Sequence, residues 1–241
     1  MALSNYLELI ESISTWLDGS DLGGREADMI ALCEDEMNAR LAASIDQGAF
    51  IRPMAEHGPL TIDAEYVDLP DGNLVRPIAI EIEGLDRLWE VRFTSAERLI
   101  ALQAGAADER SRVEQLTGAA APSHYTVIGT QFRFYPAPEQ SFTASFSRFS
   151  KAPPLSVSTG SNWLLTDHRN AYLYGTLAQA ELFGWNDARM ANVAMLFSQA
   201  MDGVIARYPV PVDRATLSSD ISLIGDRRGF SKLSSFVAGG F

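Results

Sequence analysis

Cysteine, histidine and lysine-plus-arginine are all scarce in this 241-residue chain. The one cysteine, Cys33, excludes an intrachain disulfide framework and fits a reducing compartment. It falls on the apolar stripe of a predicted helix, so it reads as a buried structural thiol rather than a nucleophile. The three histidines, His57, His124 and His168, lie far apart and none has metal-ligand spacing such as HExxH. No metal site is expected. There is no GxGxxG, no GxxxxGK[ST] and no GxSxG, so neither a phosphate cradle nor a nucleophile elbow is signalled. No cofactor is expected, and the chain reads as a non-enzyme. No apolar run approaches the roughly 20 residues needed to span a bilayer, so no membrane partner is expected. The opening MALSNYLELIESISTWL carries two glutamates and no basic region, and is not expected to be a signal peptide.

Basic residues number 19 against 31 acidic ones, a net charge of −12. The imbalance is uneven: residues 1–58 hold 11 acids and 3 bases, whereas residues 208–241 hold 3 acids and 4 bases. An acidic body excludes tight nucleic-acid binding, which needs clustered Lys and Arg to neutralise phosphates. It is compatible with a wall that DNA slides past without sticking, because like charges repel, and equally with plain solubility.

The periodicities are clear. Leu3, Tyr6, Leu7, Ile10, Ile13 and Leu17 share one face at helical spacing. A second helix, from about Glu26 to Ile45, carries Met29, Ile30, Cys33, Met37, Leu41 and Ile45 on its stripe, with Glu34, Asp35 and Glu36 read as a solvated run. From Phe50 the pattern turns to alternation. Strands are expected over Leu60–Val67, Val75–Ile82, Leu88–Phe93, Tyr125–Ile128, Gln131–Tyr135 and Ser141–Phe149. The turn at Leu69 to Gly72 has proline and glycine in mechanistic places. Thr94 to Glu97 resembles a capping box before a short helix to about Gln103. Glu81 and Glu83 share a strand face within reach of Arg76, Arg87 or Arg92, the pattern of a surface ladder rather than an acid/base couple.

Helical signals return at SNWLLTDHRNAYLYGTLAQAELFG, residues 161–184. Asp167 is a candidate cap, Leu173, Leu177 and Ala180 form the face, and Gly184 is the stop. Asn186 is a candidate cap for a last helix with Met190, Val193, Phe197, Met201 and Val204, ended by Tyr208 and Pro209. The expected fold is α+β. Residues 1–48 and 151–207 supply two helices each to a four-helix-type bundle. Residues 49–150 form an inserted antiparallel β module with a short helix. Residues 208–241 form an extended C-terminal tail for docking on a partner or a neighbouring subunit.

Taken in order, these segments resemble the head-to-tail adaptor (connector, neck) proteins of tailed bacteriophages. The resemblance begins at LELIESISTWLDGSDLGGREADMIALCEDEMNARL and continues through VDLPDG and LWEVRFTSAERLIAL. It strengthens at SHYTVIGTQFRFYPAPEQSFTASFSRFSKAPPLS and is best at Asn162, Trp163, Leu164 and Leu165 followed by Ala171 to Gly175. It covers roughly residues 3–207, and the ordered set carries it rather than any one motif. Asp71, Gly72 and Asn73 depart from the family's tendency to place an acidic and aromatic pair there. The resemblance implies a structural virion protein at the head–tail junction, made in the host cytoplasm. It implies a homo-oligomeric ring, expected to be a dodecamer, beneath the portal protein and joined to the neck or tail protein. DNA would pass through the lumen without specific binding.

Small and aromatic residues let helices approach closely, so Tyr172, Tyr174, Gly175 and Ala178 suit a subunit contact, and equally ordinary core packing. In the tail, Arg227, Arg228, Phe230, Phe236 and Phe241 are the candidate docking residues. The alternative from another class is an acidic monomeric module that recruits a protein partner through this tail.

Overall fold

The computed structural model describes residues 3–17, 24–70, 72–83, 89–104, 120–184 and 187–209. Six α-helices fall among them: α1 (Tyr6–Trp16), α2 (Glu26–Asp46), α3 (Ala96–Ala104), α4 (Trp163–Asp167), α5 (Arg169–Gly184) and α6 (Asp187–Ala206). The strands are β1 (Ala55–Ile62), β2 (Tyr66–Asp68), β3 (Leu74–Ile82), β4 (Trp89–Phe93), β5 (His124–Ile128), β6 (Gln131–Tyr135) and β7 (Phe142–Ser150).

The expected architecture, a four-helix-type bundle carrying a small β insertion, is corrected here. The molecule is a mixed α+β protein dominated by one seven-stranded curled sheet, a half-barrel. The strand order is β1-β7-β3-β4-β5-β6-β2. Nor is the sheet purely antiparallel, since β4 and β5 pair in parallel through Arg92↔His124 and Phe93↔Tyr125.

The curling follows from connectivity. Leu60–Val67 alternates as one strand would, yet it divides into β1, paired with β7, and β2, paired with β6. These are the two ends of the sheet order, and only residues 63–65 join them. Three residues span at most about 10 Å, so the two edges must come round towards each other. The Phe132 and Phe146 rings, on strands four places apart in the order, meet edge-to-face at 5.2 Å across the interior. Leu60, Ile62, Ile80, Ile82, Val91, Tyr125, Phe132, Phe134, Phe142, Ala144 and Phe146 fill that interior. Fully burying each large side chain contributes about 1.5–3 kcal/mol. This is why the strands make a layer with its own core rather than decorate a helical one.

Local signals explain the element ends. The Asn5 side chain accepts from Glu8 N at 2.9 Å and starts α1. Ser95 Oγ accepts from Arg98 N at 3.3 Å and starts α3, one residue later than a cap at Thr94. Gly48, at φ 100°, closes α2 by donating to Ile45 O at 2.9 Å. Gly129, at φ 61°, opens the two-residue loop between β5 and β6. The helix expected to start at Asp167 is two helices. Asn162 Oδ1 caps the short α4 by accepting from Leu165 N at 2.9 Å, and the chain breaks at His168 before α5.

The second core joins α1, α2, α4, α5 and α6 through Leu9, Ile13, Ile30, Cys33, Met37, Leu41, Leu165, Tyr172, Leu177, Phe197 and Met201. Sheet and helices meet where Phe149 of β7 enters this core and stacks edge-to-face on Phe50 at 5.3 Å. Arg76 of β3 also donates to Ile45 O at 3.1 Å, a second donor beside Gly48 N to a carbonyl at the end of α2. The helix cap expected at Asn186 and residues 210–241 of the tail lie outside the described residues.

Candidate interaction surface

Helix α5 is central. Ala171, Tyr172, Leu173, Thr176, Leu177, Ala180 and Glu181 are all buried, so apolar contact surrounds it rather than striping one side. Its close neighbours are α2 and α6. A β-carbon on Gly175 would stand 2.4 Å from Cys33 Sγ and 2.8 Å from a Phe197 ring carbon. Glycine is therefore required for three helices to meet there.

A buried polar knot fixes the connection between β7 and α4. Glu34 Oε1 accepts from Leu155 N at 2.8 Å and from the Tyr172 hydroxyl at 2.9 Å. Asn162 Nδ2 donates to the Tyr172 hydroxyl at 2.6 Å and to Pro153 O at 2.7 Å. One turn along α2, Asn38 Oδ1 accepts from Ala152 N at 3.0 Å. The solvated reading of Glu34 is therefore corrected: Glu34 and Asn38 turn inward to satisfy backbone that would otherwise be buried unpaired. Asp35 is exposed as expected, and Glu36 accepts from Arg40 and from Gln179. Burial pushes the Glu34 carboxyl up, opposed by the bonds from Leu155 and Tyr172. Burial likewise pushes the Tyr172 hydroxyl up and the Cys33 thiol up to about 12.

This geometry serves packing. Burial of the thiol disfavours the thiolate that a nucleophile needs. Among the described residues no group of three or more His, Cys, Asp and Glu side chains could hold a metal ion. His57 lies between Ser145 and Ser147, at 3.2 and 3.1 Å. His168, its imidazole pKa pushed down first by burial and then by Arg207, faces the Trp163 ring at 6.1 Å. No described helix is long and apolar enough to cross a membrane.

The structure divides the predicted contact residues. Tyr172 and Gly175 sit inside the chain's own core, used by Glu34, Asn162, Cys33 and Phe197. Tyr174 packs against that core but is only partly buried, and Ala178 is partly exposed. Arg227, Arg228, Phe230, Phe236 and Phe241 lie outside the described residues.

Leu7, expected on the apolar face of the first helix, is instead 63% exposed, and Trp16, Leu32, Phe93, Ile100, Val157 and Met195, on no expected stripe, are each more than half exposed too. Single exposed apolar residues are ordinary, but a grouped set marks a contact surface. Val157, 79% exposed, borders a groove of roughly 660 Å³ between α1, α2 and the β7–α4 connection. A second depression, of roughly 460 Å³, is lined mainly by polar residues around Asp167, His168, Asn170 and Gln199.

No curated protein matches the chain. A profile of the SU10 adaptor protein family matches residues 4–219, both cores and the knot that joins the helices included. The chain therefore belongs to the SU10 adaptor protein family, the head-to-tail adaptors of tailed bacteriophages.

Proposed function

We propose that this phage adaptor works without catalysis, as a ring-forming subunit beneath the portal protein that joins the capsid to the neck or tail protein and lets DNA through. The family match over residues 4–219 carries the reading. The physics supports it in three ways. Helices α1 and α2 carry eight acidic residues and one basic one, so a lumen lined by them would repel the DNA backbone. Exposed Leu7, Trp16, Leu32 and Met195 offer apolar area on the helices, and Tyr174 and Ala178 of α5 are only partly buried. Residues 208–241 supply a less acidic segment for the portal or a neighbouring subunit, with Arg227, Arg228, Phe230, Phe236 and Phe241 as its anchors. A head-to-tail contact between copies closes into a ring when its rotation divides a full turn, and a dodecamer is the closure proposed.

The test is cryo-electron microscopy of intact particles, with the purified chain mixed with portal protein in parallel. Density for this chain as a ring at the head–tail junction is expected, together with a portal complex in solution. Particles lacking it at that junction, or a chain that stays monomeric beside assembled portal, would overturn the proposal.

A further inference from the structure

The groove bordered by Val157 is polarised in composition and charge. Tyr6 of α1, Ala27 and Ala31 of α2, and Pro154, Leu155 and Val157 of the connection supply apolar lining. Glu34, Ser156 and Ser158 complete the lining. Ala27, Ala31, Pro154 and Val157 are exposed, so this lining is open to an occupant. The helices flanking it are the acidic ones: Glu8 and Glu11 on α1, and Glu26, Asp28 and Asp35 on α2.

One part of the chain has the opposite character. Residues 227–241 contain three bases, Arg227, Arg228 and Lys232, and no acid. They also contain Phe230, Leu233, Phe236, Val237 and Phe241. This stretch lies past residue 219, where the family match ends.

The last described helix delivers the chain next to the groove. The Tyr208 ring lies edge-to-face with Trp163, 6.4 Å between centroids. The adjoining Asn162 bonds to Pro153 O, immediately before the groove wall at Pro154 and Leu155. The other wall is anchored to the same place, since Tyr6 N donates to Gly160 O at 2.8 Å. Between Pro209 and Arg227, residues 210–226 can span up to about 55 Å when extended. Tethering raises the effective concentration of the segment at its own groove above that of any free copy.

We propose that residues 227–241 dock in the groove of their own chain, with the phenylalanines against Ala27, Ala31, Pro154 and Val157 and the bases facing the acidic helices. The docked state is that of the free chain, given up when these residues engage the portal or a neighbouring subunit; the inference rests on the groove and the charge pattern, not on the adaptor reading, so each can fail while the other stands.

The full-length chain tests it by trypsin cleavage after Arg227 and Arg228, followed by mass spectrometry. Ala31→Lys and Val157→Lys put bulk and positive charge into the groove at exposed positions, where the fold tolerates them. Circular dichroism checks that the fold is kept. Leu32→Lys, exposed on α2 but outside the groove lining, is the control. Cleavage is expected about tenfold faster in the two groove variants and unchanged in the control, because proteolysis follows the population of the undocked form. Wild-type protection should persist on strong dilution. Equal rates in all four proteins would overturn the proposal, and so would protection lost on dilution, which would assign the groove to a second copy.

Discussion

The Tyr172 hydroxyl donates to Glu34 Oε1 at 2.9 Å across 138 residues of sequence. The same carboxylate oxygen accepts from Leu155 N, so one acid on α2 holds both the central helix and the strand-to-helix connection. Hydrogen bonds to charged groups contribute about 1.5–3 kcal/mol, more than neutral ones. Tyr172→Phe is therefore expected to destabilise the chain by about 1–3 kcal/mol, leaving Glu34 with one donor fewer. Urea unfolding should show a lower midpoint at unchanged slope. A midpoint equal to wild type would mean that the knot is dispensable.

Glu34 also sets a pH dependence. Burial, the largest influence, raises its pKa in the folded chain. A carboxyl raised on folding stabilises fully below its unfolded pKa, and that contribution is lost as pH rises through the folded value. Glu34→Gln removes the proton equilibrium while keeping an oxygen acceptor for Leu155 and Tyr172. The variant's stability relative to wild type is expected to grow from mildly acid to neutral pH. Urea midpoints that run parallel over that window would refute the assignment.

At Gly175 two effects oppose each other. Alanine is favoured over glycine in a helix by about 1 kcal/mol, but overpacking a core costs about 1–3 kcal/mol. With the new carbon 2.4 Å from Cys33 Sγ and 2.8 Å from the Phe197 ring, overpacking wins. Gly175→Ala should lower the melting temperature. Adding Cys33→Ala should restore part of the loss, a coupling that a double-mutant cycle reads directly. Additive effects of the two changes would place the clash elsewhere.

Cys33 is fully buried and its thiol pKa is pushed up to about 12. Ellman's reagent is expected to leave the native chain unlabelled at neutral pH and to label one thiol in denaturant. Rapid labelling of the native chain would show that α2 separates readily from α5.

Phe132 and Phe146 hold the half-barrel across its interior. Either Phe→Ala change is expected to cost about 3–5 kcal/mol. Their coupling should be about 0.5–1.5 kcal/mol, the usual worth of an edge-to-face pair. A coupling of zero would mean that the sheet does not curl enough to bring the rings together.

Much of the secondary structure was legible because periodicity reports which side of an element is buried. The helical stripes through Tyr6, Ile13, Leu17, Cys33, Met37, Leu41, Phe197 and Met201 are buried as expected, whereas Leu7 of the first stripe is exposed and Leu9, outside it, is buried. Phe132 with Phe134, and Phe142 with Phe146, share inner faces of their strands. The ordered set of motifs was enough to reach the adaptor family.

What sequence could not supply was pairing. Alternation over Leu60–Val67 is identical for one strand or for two bound to opposite edges, and only the closing of β2 on β6 separates them. The inward turn of Glu34 and Asn38 was likewise invisible, because their donors come from Ala152, Leu155 and Tyr172, more than a hundred residues away. A charge run looks solvated until a distant stretch of backbone needs an acceptor. The chain by itself determined which residues seek the interior and the net negative charge of its surface, since both follow from composition and local period. Tertiary structure alone decided that the strands roll into a half-barrel and that Gly175 serves internal packing, because both depend on contacts between segments remote in sequence.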